Sequence, residues 1–209
     1  MKKVFLTLAL VTISILGHSQ NNSKVIPPEP IEQSKFSIGV IGGFGHSFLM
    51  PYSNTAFCPS WNAGISAIYS PWQHWGVGLD ALYSAEGAKF YYQNGASDQS
   101  DLTIHRELDY VRVPVKVIYF FRTYEKDFRP KVSLGPTLGV LVNEKNSSNA
   151  SSVDLGANLT LGFNYRIARA IWINVDANYY QGFLDTYSGN SETDLNGNIR
   201  LNAGINFGF

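Results

Sequence analysis

Ile199-Arg200-Leu201-Asn202-Ala203-Gly204-Ile205-Asn206-Phe207-Gly208-Phe209 carries an apolar residue at every odd position and a polar or small one at every even position. A period of two belongs to an extended strand, whose successive side chains point to opposite faces. A strand with one greasy and one polar face needs a neighbour along each edge, because unpaired backbone groups invite aggregation. The same alternation recurs upstream and divides the chain from Phe36 onward into eight stretches. They are Phe36–Phe44, Trp61–Ser70, Trp75–Tyr92, Thr103–Phe121, Phe128–Asn143, Val153–Arg166, Ala170–Leu184 and Leu195–Phe209. Several are longer than the roughly five or six residues of a soluble strand. They reach the roughly nine to eleven that cross a bilayer at a tilt.

The connections sort themselves. Pro71–His74, Arg122–Asp127 and Ile167–Arg169 are short; Gly45–Ser60, Gln93–Leu102, Glu144–Ser152 and Asp185–Asp194 are longer and polar, and the two kinds alternate strictly. An up-and-down barrel with tight periplasmic turns and long outer loops produces that alternation. The expected fold is therefore all-β, an eight-stranded antiparallel up-and-down transmembrane β-barrel over residues 36–209.

The N-terminus agrees. Met1-Lys2-Lys3 is a short basic start, Val4–Leu16 is apolar, and Gly17 and Ser19 suit a signal-peptidase site before Gln20. Residues 1–19 read as a cleaved signal peptide, too short in its apolar core for a helical span of about twenty residues. The only cysteine is Cys58, so no thiol follows the apolar run to take a lipid, and no internal disulfide can form. Cys58 itself reads as a free thiol in a loop. Residues 20–35, with Pro27, Pro28 and Pro30, read as a periplasmic linker. Without Lys2 and Lys3 the chain has fourteen basic and sixteen acidic residues, a net charge of −2 that gives no basic patch for nucleic acid.

Periodicity alone leaves open which face is inside. Three features turn the apolar face outward. The polar face collects Asp80, Glu86, Arg112, Lys116, Lys131, Asp154, Arg166, Asp176 and Arg200 among Gly and Asn, a mixture suited to a narrow lumen where opposite charges pair. Aromatic residues gather near strand ends, among them Trp61, Tyr69, Trp72, Trp75, Tyr91, Tyr92, Tyr110, Tyr119, Phe121, Phe163, Tyr165, Trp172, Tyr179 and Phe183, as in interfacial girdles. No helical pattern is present to cover an open sheet. The lumen charges, Asp80, Arg112, Lys116, Lys131, Asp154, Arg166, Asp176 and Arg200 with Glu86 beside them, either pair and plug the barrel or line a narrow pathway for ions or small solutes. An eight-stranded interior is wide enough only for side chains, which favours the plug.

Asn202-x-Gly204-x-x-Phe207-x-Phe209 resembles the β-signal of bacterial outer-membrane proteins. The resemblance implies that the barrel-assembly machinery recognises this strand, with Asn202, Gly204, Phe207 and Phe209 serving assembly rather than chemistry. Residues 36–209 are also similar to the small outer-membrane β-barrel family of Bacteroidetes often called PorT-like. The residues that carry it are Ser19-Gln20, the glycines Gly39, Gly42, Gly43 and Gly45, and the set Tyr110, Val111, Val113, Pro114, Lys116 and Tyr119. That resemblance implies the outer membrane of a Gram-negative bacterium. Most of its members have no assigned biochemistry, and its namesake is implicated in secretion.

Enzymatic chemistry is weakly supported. Eight-stranded barrels that modify lipid A carry a His, a Ser and an acid near the outer rim, and here His46, Ser47, Asp101 and His105 lie there. His46 and Ser47 are adjacent, so in a strand they point to opposite faces and are poorly placed to hydrogen-bond as nucleophile and base. No pair of the four histidines has ligand spacing, so no metal or cofactor is expected. The function expected is structural or interactive, presenting loops to surface or envelope-assembly partners, secretion among them. A narrow channel and a lipid A-modifying enzyme are the alternatives.

Overall fold

The computed structural model describes residues 35–50, 55–92, 102–146, 149–187 and 193–208. The expected signal peptide, all but the last residue of the expected linker, Asp101 and Phe209 lie outside the described residues. The strands are β1 (Phe36–Met50), β2 (Thr55–Ala56), β3 (Cys58–Tyr69), β4 (Trp75–Tyr92), β5 (Leu102–Phe120), β6 (Phe128–Lys145), β7 (Val153–Ala168), β8 (Ile171–Asp185) and β9 (Leu195–Gly208). Neighbours run β4-β3-β1-β9-β8-β7-β6-β5, and β4 pairs again with β5 to close the ring. All pairings are antiparallel, and β2 adds only a two-residue ladder on β4. Eight strands thus form a closed barrel with no free edge, and no helix occurs among the described residues.

The apolar parity faces out. Val40, Phe44, Leu134, Leu161, Ile199 and Leu201 are exposed, while Asp80, Glu86, Arg112 and Arg200 on the other parity are buried. Leu161, for instance, is 59% exposed and its neighbour Thr160 only 3%. In water such a surface would be untenable; in a bilayer it is the surface that belongs outside.

Strands of twelve to nineteen residues exceed an apolar band about 25 Å tall. Because the turns at one end are short, the excess projects at the other. This explains where the expected boundaries were too tight. β1 continues past Phe44 to Met50 and β3 begins at Cys58, so the expected loop over residues 45–60 is mostly strand, with Ser47 paired to Cys58. Gly45-His46-Ser47 reads as a turn, yet Ser47 and Leu49 extend the inward parity and are buried. Cys58 is accordingly on a strand and fully buried, not in a loop.

Two backbone details carry cost. Pro114 sits in mid-strand and cannot donate to a ladder. The β4–β5 ladder skips from Leu79↔Val115 to Leu82↔Arg112, and the β5–β6 ladder from Pro114↔Thr137 to Val117↔Leu134. Gly87 has φ 147°, and a Cβ there would lie 2.0 Å from the Arg106 carbonyl oxygen. Gly87→Ala meets both backbone strain and backbone overlap. It is expected to lower unfolding free energy in detergent by about 2–3 kcal/mol, read by denaturant titration of tryptophan fluorescence. A loss under half that would mean the ladder relaxes freely at this position.

Candidate functional site

The barrel interior is where chemistry-bearing side chains converge, and it is layered. At mid-height Glu86 on β4 accepts six hydrogen bonds. Arg112 Nε and Nη2 donate to it at 2.7 Å each, Arg200 Nη2 and Ser84 Oγ at 2.6 Å, Asn196 Nδ2 at 2.8 Å and Asn198 Nδ2 at 3.3 Å. Arg112 Nη2 also reaches Asp154 on β7 at 2.9 Å. The Arg112 guanidinium lies 4.5 Å from the Tyr110 ring centre and 4.1 Å from that of Tyr180. One carboxylate therefore ties β4, β5 and β9 together, and through Arg112 reaches β7.

A second ionic layer lies toward the short turns. Lys116 donates to Asp80, and Lys131 Nζ is 3.0 Å from Asp176. Amides fill the wall between: Asn178 Nδ2 donates to Asn158 Oδ1 at 2.6 Å and to Thr160 Oγ1 at 3.0 Å, and Asn174 donates to Asn206 at 2.6 Å. The two layers hold four cations, Arg112, Lys116, Lys131 and Arg200, and four carboxylates, Asp80, Glu86, Asp154 and Asp176. Buried charge is tolerable only when paired and hydrogen-bonded, and here the count balances. The space left between the layers is about 20 Å³, on a scale where one water takes roughly 10–15 Å³.

Each end of the interior carries a buried apolar cluster. At the outer end Leu49, Ala88, Leu108, Tyr110 and Tyr187 form a buried cluster with Phe90, Leu141 and Ala150 against it. At the other end Ile68, Ile118 and Phe120 do the same. Beside them Arg129, only 2% exposed, places its guanidinium 3.9 Å from the Phe120 ring centre and 4.0 Å from that of Tyr124. It donates to the carbonyl oxygens of Arg122 at 3.2 Å and Gln73 at 3.1 Å.

Of the sequence-derived lumen set, Asp80, Arg112, Lys116, Lys131, Asp154, Asp176 and Arg200 meet inside. Arg166 does not: it sits at the mouth on the short-turn side, where it pairs with Asp127 at 2.7 Å and donates to the Glu125 carbonyl. Its place near the end of β7 puts it below the ionic layers. Glu86, a companion in the sequence reading, is the hub, and Arg129 was missed although it shares the inward parity of Lys131. Tyr110 and Trp172, read as girdle residues, are buried inside, whereas Trp61, Tyr69, Trp72, Trp75, Phe121, Tyr165, Tyr179 and Phe183 are exposed as a girdle requires. The Tyr91 and Tyr92 side chains lie outside the described set. Of the β-signal residues, Asn202 is buried on the inner face and Phe207 exposed on the outer.

Near the outer rim, His46 Nδ1 accepts from the Cys58 backbone N–H at 3.1 Å while Ser47 Oγ donates to the Gly87 carbonyl at 2.8 Å. The two side chains do not meet. His105 Nε2 lies 3.7 Å from Cys58 Sγ, and its Nδ1 lies 3.4 Å from Glu107. The thiol is buried. His46 and His105 stand on strands rather than in the outer connections. No group of three or more His, Cys, Asp or Glu side chains placed to hold a metal occurs among the described residues.

No characterised protein matches at the level of sequence. Two solved structures share the fold: the outer membrane protein OprG from Pseudomonas aeruginosa, at TM-score 0.54 and 15% identity over 87% of this chain and 99% of that one, and Neisserial surface protein A, at TM-score 0.54 and 15% identity over 84% and 98%. The profile of the outer membrane protein beta-barrel domain matches residues 18–188. Together with the lipid-suited exterior and closed ring, that match identifies the chain as a member of the outer membrane protein beta-barrel domain family, resident in the outer membrane.

Proposed function

We propose that the barrel is a non-conducting, non-enzymatic scaffold that holds its outer connections in place for surface or envelope-assembly partners, secretion components among them. The observation that carries this reading is the interior: two charge-balanced ionic layers between two apolar clusters, with about 20 Å³ of space between the layers. A hydrated ion would have to displace Arg112 and Lys116 from their carboxylates and pass both clusters. Assembly fits the same reading, with the β9 edge offered to the barrel-assembly machinery by β-augmentation before it pairs with β1.

In planar bilayers the folded chain is expected to give no discrete conductance steps. Reproducible steps that vanish on heat denaturation would overturn the scaffold reading in favour of a channel. In-cell crosslinking is expected to yield a stable envelope partner. A lipid A mass shift that depends on the chain and is lost in His105→Ala would instead make it an enzyme.

A further inference from the structure

The charges outside the lumen are unevenly divided. The periplasmic rim carries Lys35, Arg122, Lys126, Arg129, Arg166 and Arg169 against Glu125 and Asp127. Around the outer rim Lys89, Arg106 and Lys145 face Glu107, Asp109, Glu144 and Asp185. Lys35, Arg122, Lys126 and Arg169 are exposed. Arg166 is held by Asp127 and Arg129 is enclosed.

The position of the exposed cations decides what they meet. Each stands close in sequence to an exposed apolar residue: Lys35 beside Phe36, Arg122 beside Phe121, Lys126 two before Phe128, Arg169 two after Ile167. A chain spans at most about 3.6 Å per residue, so the backbones of these cations lie within roughly 4–7 Å of the neighbouring exposed apolar residue. The polar layer of a bilayer leaflet is about 5–8 Å thick. The turns are too short to carry the cations through that layer toward a globular partner. Within that layer lie the lipid phosphates.

We infer that the periplasmic rim is a docking surface for anionic phospholipid headgroups of the inner leaflet, with Arg122, Lys126, Arg169 and Lys35 as phosphate-facing cations. Among the described residues the outer rim has no comparable excess of positive charge. Each basic residue near an anionic surface favours the charged lipid by roughly fivefold at low salt, and the effect is screened within about 10 Å at 0.1 M salt.

Spin-labelled phosphatidylglycerol and phosphatidylcholine, compared by electron paramagnetic resonance on the refolded mature chain in phosphatidylcholine vesicles, test this. Expected is a several-fold preference of the boundary lipid for phosphatidylglycerol that falls steeply between 20 mM and about 0.5 M salt. It should collapse in Arg122→Gln/Lys126→Gln/Arg169→Gln and persist in the outer-rim variant Lys89→Gln/Lys145→Gln. Equal association of the two lipids with the unmodified chain, or a preference indifferent to salt, overturns the inference without needing any variant to fold. So does a preference that the outer-rim variant abolishes.

Discussion

Replacing Glu86 with Ala is expected to cost the barrel about 3–5 kcal/mol, the range found when one partner of a buried ion pair is removed. The carboxylate accepts from Ser84, Arg112, Arg200, Asn196 and Asn198. Without it Arg200 keeps a single long bond to Ser60 Oγ at 3.3 Å, and Arg112 keeps only Asp154. Two guanidinium groups would then sit in a medium of low dielectric with half their compensation gone. The reverse truncation is milder. Arg112→Ala leaves Glu86 with Arg200, Ser84 and two amides but deprives Asp154 of its guanidinium, so one carboxylate rather than two cations is stranded and the expected loss is about 1–3 kcal/mol, the cost of unsatisfied buried polar atoms. The inequality is the diagnostic result. Urea titrations of both variants in lipid vesicles should show Glu86→Ala unfolding first, and a double variant Glu86→Ala/Arg200→Ala losing less than the two single losses combined. If Glu86→Ala stays within 1 kcal/mol of the parent, the hub assignment fails.

The sequence and the fold agree closely because a closed barrel is governed by parity, and parity is visible in a single strand. Seven lumen residues named from alternation and charge together do meet inside. What parity does not reveal is depth and partner. Arg166 has inward parity but sits at the strand's end, so the nearest carboxylate is Asp127 of the adjoining turn. Glu86 finds Arg200 and Asn196, more than a hundred residues away, because strands are staggered around the ring, and stagger leaves no mark in any one strand. Tyr110 and Trp172 were misplaced for a different reason. Each shares the parity of an interior residue, Arg112 and Asn174, but nearness to a strand end argued for the girdle, and parity won. At His46–Met50 a turn-like glycine and polar pair hid an alternation that the burial of Ser47 and Leu49 makes plain.

Arg129 is the buried cation for which no carboxylate forms a salt bridge among the described residues, and its loss should be the second largest. Its charge is met by two rings within 4.0 Å and by the carbonyl oxygens of Arg122 and Gln73. A desolvated cation–π contact is worth about 2 kcal/mol, and carbonyls left unpaired cost about 1–3 kcal/mol. Arg129→Ala is therefore expected to lower stability by about 3–4 kcal/mol, measured by the same urea titration. Arg129→Lys should recover less than half of that loss. An ammonium is a strongly hydrated point charge, whereas the planar guanidinium can lie against rings and still direct N–H groups in its own plane to two carbonyls. The substitution also separates sealing from filling. If the ionic layers above it occlude the lumen by themselves, Arg129→Ala stays silent in planar bilayers despite its lost stability. Conductance steps in that variant alone would show that the periplasmic cap, rather than the paired charges, keeps the barrel closed.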